Sequence, residues 1–308
     1  MLLSQTMRQK KLSHALAVSI IMLIINMGIS EAANNPALAI MDLYWDQTNN
    51  HDLLSPYAVS ILALNELEEG RNIGMVKNFI LWYLKSINDN DMNGLSGTIY
   101  DYKILPDRET APTGDYDSAD GYAGIFLYLL KTYYEKTGDQ ETLAANWRQI
   151  EHIVYVVAFL QDIDGLTRTT NKNQIKYLMD NIEAYAGVSA FISLSRAINK
   201  SDSNYYNDIR SGIRTGINEI MYDSKRRNFI WALNDKERFI TDLKKFYPDA
   251  YSNIMLFAYD HSIFNGFLKR KSALWKDIMA EQSGHMADLP VEQRIIFKLA
   301  VKKMGWKE

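Results

Sequence analysis

Between Gly114 and Asp139 the apolar positions recur with a helical period. Tyr122, Ile125, Phe126, Leu129, Leu130 and Tyr133 fall at i, i+3, i+4, i+7, i+8 and i+11, which is one face of an α-helix. The spacing predicts a helix from Asp117 to Glu135 that turns at Thr137-Gly138-Asp139 into a second helix ending near Leu160. The same syntax recurs along the chain. Ser55-Pro56 reads as N-cap and N1 proline of a helix through Leu67, broken at Gly70 and answered by Met75 to Ile87. Ile175 to Ile198 turns at Asn199 to Asp202 into a helix ending near Met221, Tyr247-Pro248-Asp249 opens another to about Phe264, and Ala273 to Met279 and Val291 to Met304 follow.

Connector length gives these helices a polarity. Turns within a pair are short, as antiparallel neighbours require, while the links between pairs are long and rich in Asp, Asn, Gly and Thr. Standing side by side, the pairs put every long loop at one end, where rigid scaffolds usually carry their sites. Two loops share a D-x-[DN]-G-L-[ST]-x-T pattern, beginning at Asp91 and at Asp162, and a degenerate third spans Asp223 to Trp231. In the first, the position where an EF-hand needs a bidentate Glu is Tyr100, so the motif is read as turn chemistry. The fold expected is all-α, an α/α toroid of about six helical hairpins; an open solenoid and a bundle are the other arrangements of such pairs.

Composition adds bounds. A formal charge of -3 over 308 residues, without a Lys/Arg stripe, excludes a nucleic-acid binder. Arg8, Lys10 and Lys11, the apolar run Ala15 to Ile29 and Ser30-Glu31-Ala32 read as a signal peptide over residues 1–32, leaving a single toroid domain over 33–308, exported to the periplasm or beyond and not held in a membrane after cleavage; an uncleaved N-terminal anchor is the alternative, for which the apolar run is short. Cysteine is absent, so an exported domain would rest on its core. The five histidines include no HExxH or paired arrangement, so neither metal nor cofactor is expected.

The chemistry-bearing residues gather at two helix openings. Asp115, Asp117 and Asp120 crowd the first, with Tyr116 and Tyr122 beside them; Asp117 as N-cap and Asp120 three residues on also satisfy a plain capping reading. At the second, Asp180, Glu183 and Gly187 share a face at i, i+3 and i+7, next to Asn181 and Tyr185. Paired carboxyls with separated pKa values are what glycosidic cleavage needs, and tyrosines and tryptophans stack on sugar rings. The candidate catalytic acids are Asp117, Asp120, Asp180 and Glu183. Candidate substrate contacts are Tyr44, Trp45, Tyr100, Asp115, Tyr116, Tyr122, Asn181, Tyr185, Trp231 and Tyr247.

The sequence GDYDSADGYAGIFLYLL (114–130), its TGD turn and YLMDNIEAYAG (177–187) resemble the six-hairpin glycosidase superfamily, the (α/α)6 toroids that include bacterial endoglucanases of glycoside hydrolase family eight. The resemblance implies an exported enzyme acting on a polysaccharide or oligosaccharide in a groove across the loop end. It matches Asp115, Asp117 and Asp120 to that family's catalytic helix opening. The chain departs from the family upstream, where Glu66 and Glu68 lie in an apolar helix without the glycine-rich context of its glutamate motif. A polysaccharide lyase, for which His51 is the histidine placed at a loop end, and a catalytically silent carbohydrate-binding or assembly protein are the alternatives.

Overall fold

Asn35 accepts the N–H of Ala37 through its side chain and starts the first helix, α1 (Pro36–Asp42). Proline at N1 likewise starts α2 (Pro56–Glu68), and α3 (Ile73–Ser86) returns antiparallel to it. There follow α4 (Ala119–Thr137), α5 (Gln140–Ala145), α6 (Trp147–Leu160), α7 (Leu178–Ala197), α8 (Asn204–Thr215), α9 (Tyr251–Ala258), α10 (Leu268–Gln282) and α11 (Val291–Met304). This is a computed structural model describing residues 35–48, 51–200, 204–235, 237–265 and 267–306. The leader read over 1–32 lies outside them. No helix among the described residues is long and apolar enough to cross a membrane.

The helices close into a ring. α2 packs on α4, α4 on α7, α7 on α9, α9 on α11, and α11 returns to α2. Behind them α1, α3, α6, α8 and α10 each cover an inner helix or the seam beside it. The all-α toroid of paired helices expected from the pattern is thus the architecture found. Phe126, fully buried on α4, stacks on Tyr83 of α3 with ring centroids 3.6 Å apart, joining inner to outer layer.

The α4/α7 seam is the tightest in the ring because two glycines meet there. A Cβ on Gly187 would stand 2.6 Å from the Cα of Gly124, and one on Gly124 would stand 2.4 Å from the carbonyl of Glu183. Neither position has room for a side chain. The backbones therefore come together closely enough to set the acids of both helix openings side by side.

The long links are not wholly irregular. Leu53–Leu54 (β1), Tyr102–Ile104 (β2) and Thr110–Pro112 (β3) pair in that order, Lys176–Tyr177 (β4) pairs with Ala232–Asn234 (β7) and it with Glu237–Phe239 (β8), and Tyr222–Asp223 (β5) pairs with Asn228–Phe229 (β6). Strands of two or three residues are too short to show an alternating pattern, which is why the sequence reads as loop there. The repeated loops do adopt one turn twice. Gly94 and Gly165 have φ of 80° and 85°, and the N–H of Asp91 and of Asp162 each bond the carbonyl four residues on, at 2.9 and 2.8 Å. In the second loop the Lys176 ammonium lies between Asp162 and Asp164 at 2.9 and 2.7 Å.

Helix limits differ from expectation where capping decides them. Ser118, not Asp117, holds the N-cap position of α4, and Asp120 bonds the N–H of Gly121. The segment expected as one helix to Phe264 stops at Ala258, since Tyr259 takes φ -113° and ψ -117°, and a 3₁₀ turn His261–Phe264 follows.

Candidate active site

At the loop end of the ring a cavity of about 350 Å³ opens between the first turns of α2, α4, α7 and α11. Tyr57, Tyr122, Tyr247 and Tyr251 form its aromatic wall, and Asp101, Asp117, Asp180 and Glu292 supply carboxyls. Among the described residues its lining contains no Lys, Arg or His. It is acidic, aromatic, and without a countercharge.

The acids lie at graded depths. Asp117 is exposed at the rim. Asp180 is 9 % exposed, and its Oδ2 has no hydrogen-bond partner. Behind it, Asp120 accepts from Thr167 Oγ1 at 2.6 Å and from the N–H of Gly121 at 3.0 Å. Glu183 Oε1 accepts from Tyr57 at 2.8 Å and Tyr259 at 3.1 Å, while its Oε2 is unpartnered. Gly121 makes this crowding possible, because Glu183 Oε2 and Asp180 Oδ1 stand 3.1 and 3.2 Å from where its Cβ would be.

Burial without a cation favours the protonated forms. Loss of solvation pushes Asp120 up to about 7, against the opposing Thr167 and Gly121 hydrogen bonds. It pushes Glu183 up to about 8, against the two tyrosine hydroxyls. Asp180 is raised well above the carboxylate range by the same desolvation, then by the neighbouring Asp120, Glu183 and Asp117. Carboxyls so packed titrate together rather than singly. The site thus sets a buried Asp180, whose protonated form burial favours, and a solvent-facing Asp117 on one cavity, the division of labour that general acid/base chemistry uses.

A second set of contacts fixes the mouth. Tyr122 Oη donates to Asp101 Oδ1 at 2.9 Å, with Ser55 Oγ 3.0 Å from the same hydroxyl. Tyr57 stacks on Tyr122 at 5.4 Å. Asp101 is held by its backbone, its N–H bonding the carbonyl of Asp115 and its own carbonyl accepting from Thr113. Loss of solvation raises its pKa too.

Of the candidates named from sequence, the structure brings Asp117, Asp180, Tyr122 and Tyr247 to the cavity and places Asp120 and Glu183 in contact behind it. The other substrate candidates do not line it. Tyr44 is buried on Glu66 at 2.5 Å, in a network with Asn65, Arg71 and Asn72, which also gives Glu66 a structural role. Trp45 stacks on His51 and lies under Arg108, so His51 too is away from the cavity. Tyr100 accepts the N–H of Met92, and Tyr116 donates to Asp91 at 2.6 Å, both locking the first repeated loop. Asp115 accepts the N–H of Tyr116. Asn181 clamps Thr167 by accepting its N–H and donating to its carbonyl. Tyr185 pairs with Ser262, and Trp231 stacks on Tyr177. Each satisfies a local need that aromatic or acidic character alone does not reveal.

Sequence reasoning missed Asp101, Tyr57, Tyr251 and Glu292. Asp101 stands between Tyr100 and Tyr102 in a polar stretch, and that Tyr-Asp-Tyr triplet is the available signal. Tyr57 and Glu292 each sit in the first turn of an inner helix, at the loop end by construction.

No protein-family model matches the sequence, and no curated protein does. Solved structures do match in fold. The GH76 α-mannanase of Bacteroides thetaiotaomicron superposes with a TM-score of 0.54 at 9% identity, covering 89% of this chain and 80% of that one. A rhamnosidase from Klebsiella oxytoca with rhamnose bound gives 0.55 at 12% identity over 89% of this chain, and the GH78 rhamnosidase of Bacillus sp. GL1 gives 0.56 at 12% over 80%. This chain spans about half of the first rhamnosidase (51%) and a quarter (25%) of the second. At these identities the likeness shows the fold alone, an α/α toroid.

Proposed function

We propose that this chain is an exported glycoside hydrolase that cleaves a polysaccharide or oligosaccharide with paired carboxyl groups. Asp180 donates the proton to the glycosidic oxygen, and Asp117 acts from the solvent side as base or nucleophile. Burial favours the protonated form of Asp180, with Asp120 and Glu183 packed behind it adding to the shift, and Tyr122, Tyr247 and Tyr251 stack on and hydrogen-bond the sugar. The observation that carries the reading is that the exposed Asp117 and the buried Asp180 line one tyrosine-walled cavity. The printed activities of the structural neighbours, a mannanase and two rhamnosidases, support carbohydrate chemistry on this scaffold. A cellobiose 2-epimerase from Bacillus thermoamylovorans shares the fold at a TM-score of 0.52, so the scaffold alone does not select hydrolysis.

The test is release of reducing ends from α-mannan, α-rhamnosides, β-glucans, chitosan and bacterial exopolysaccharides by wild type, Asp117→Asn and Asp180→Asn. Product from wild type and its loss in both variants is expected. Binding of a glycan without product from the wild type would replace hydrolysis by the carbohydrate-binding reading. Among the described residues the lining holds no basic side chain, which favours hydrolysis over a lyase that must neutralise a uronate.

A further inference from the structure

The toroid has a second cavity, at the end where the inner helices finish. It measures about 580 Å³, within the range of small-ligand sites, and among the described residues its lining combines Lys131, Arg196, Arg210 and Lys303 with a single carboxylate, Asp260. Arg210 also borders a smaller adjoining hollow of about 140 Å³ that adds Arg214 and Ser262. The charge is opposite to that of the loop-end cavity.

Helix ends account for only part of this. Arg196 and Lys303 lie in the last turns of α7 and α11, where cations complement the helix dipole. Arg210 comes from the outer helix α8, mid-helix, and needs no such explanation. Lys131 is tied to Glu135 at 2.6 Å, but Lys303 Nζ meets the Tyr128 hydroxyl and the Tyr259 carbonyl, both neutral, at 2.6 Å. Burial drives Lys303 down to about 8, against the attraction of the Glu68, Asp260 and Glu135 carboxylates. Asp260 is committed to capping, accepting the N–H of Ser262. His261 adds no charge acceptor: its Nε2 lies 2.9 Å from the Phe257 carbonyl and its Nδ1 2.8 Å from Lys271 Nζ.

We infer that this cavity binds a phosphate-bearing small molecule of about sugar-phosphate size, at a site separate from the acidic one. Arg210 offers planar donors to phosphate oxygens, and Lys303 and Lys131 supply point charge. The volume exceeds what inorganic phosphate fills, which leaves room for an attached sugar. Tyr259 forms the wall common to both ends, since its hydroxyl donates to Glu183 while its carbonyl accepts from Lys303.

The experiment is calorimetric titration of the purified chain with glucose 1-phosphate, inorganic phosphate, glucose and glucuronate, repeated on Arg210→Gln and on the more exposed Lys131→Gln, with each variant's thermal midpoint measured alongside. Binding of glucose 1-phosphate, weakened about tenfold or more in either variant with an unshifted midpoint, is the expected result, corresponding to at least about 1.4 kcal/mol. Tighter binding of the ester than of inorganic phosphate supports a sugar phosphate as the ligand. Equal binding of inorganic phosphate, equal binding of glucuronate, no heat from the ester at about 10 mM, or affinity unchanged in both variants would each overturn the assignment. None of these outcomes depends on whether the loop-end cavity hydrolyses a glycan.

Discussion

Gly124 of α4 and Gly187 of α7 touch backbone to backbone, with no space between them for a single Cβ. That contact fixes the separation of two helices whose opening turns carry Asp120, Asp180 and Glu183. The geometry of the acids follows from two residues that have no side chains.

Gly187→Ala is therefore expected to destabilise the fold by about 1 to 3 kcal/mol or more, as overpacking does in a closed seam. Urea denaturation checks it. Activity should fall further than stability, because prising α4 from α7 also parts the carboxyls. A variant as stable as wild type would show that the seam has room for a side chain at Gly187.

Replacing Asp180 by Asn removes a proton donor and a buried acid together. Glycan cleavage should fall about 100- to 10,000-fold. Stability at neutral pH should rise, since a neutral amide replaces a group whose ionised form is unfavourable there. Reducing-end assays and thermal melts on one preparation separate the two effects, and loss of activity with a lowered melting point would point to structural damage instead.

Stability should also depend on pH with a definite sign. Asp120 and Glu183 titrate near 7 and 8 in the folded chain, raised by burial from ordinary values of 3.8 and 4.5, and Asp180 is raised as well. The native state then holds more protons than the unfolded one between those limits, so stability falls as pH rises from about 4 to about 8. The contribution is fully present below the unfolded values and lost above the folded ones. Melting curves from pH 5 to 9 should show this decline, and Glu183→Gln should flatten it. A rise in melting point across that interval would contradict the burial of the triad.

Phe126→Ala should cost about 3 to 5 kcal/mol, because the ring is fully buried and stacked on Tyr83. Chemical denaturation measures it. A loss below about 1 kcal/mol would mean that the buried face of α4 is misassigned.

How much of this was readable beforehand varies by element. The helical face from Tyr122 to Tyr133 is buried at every position named, and the repeated loops at Asp91 and Asp162 do fold alike. Local periodicity and turn chemistry are properties of neighbouring residues, and those are written in order along the chain. The aromatic candidates fared less well. Tyr44 and Tyr116 look like sugar platforms in one dimension, yet Glu66 and Asp91 claim their hydroxyls in three.

The sequence by itself determined the paired helices, their burial stripes, the loop-bearing end and the two acidic helix openings, because each depends on spacing within a few turns of chain. Only the tertiary structure decided that Asp101 and Tyr57 join Asp117 and Asp180 on one cavity, that Asp120 and Glu183 stand behind it, and that a basic hollow lies at the other end. Those facts depend on which helices become neighbours when the ring closes, and ring closure is set by contacts between residues far apart in the chain.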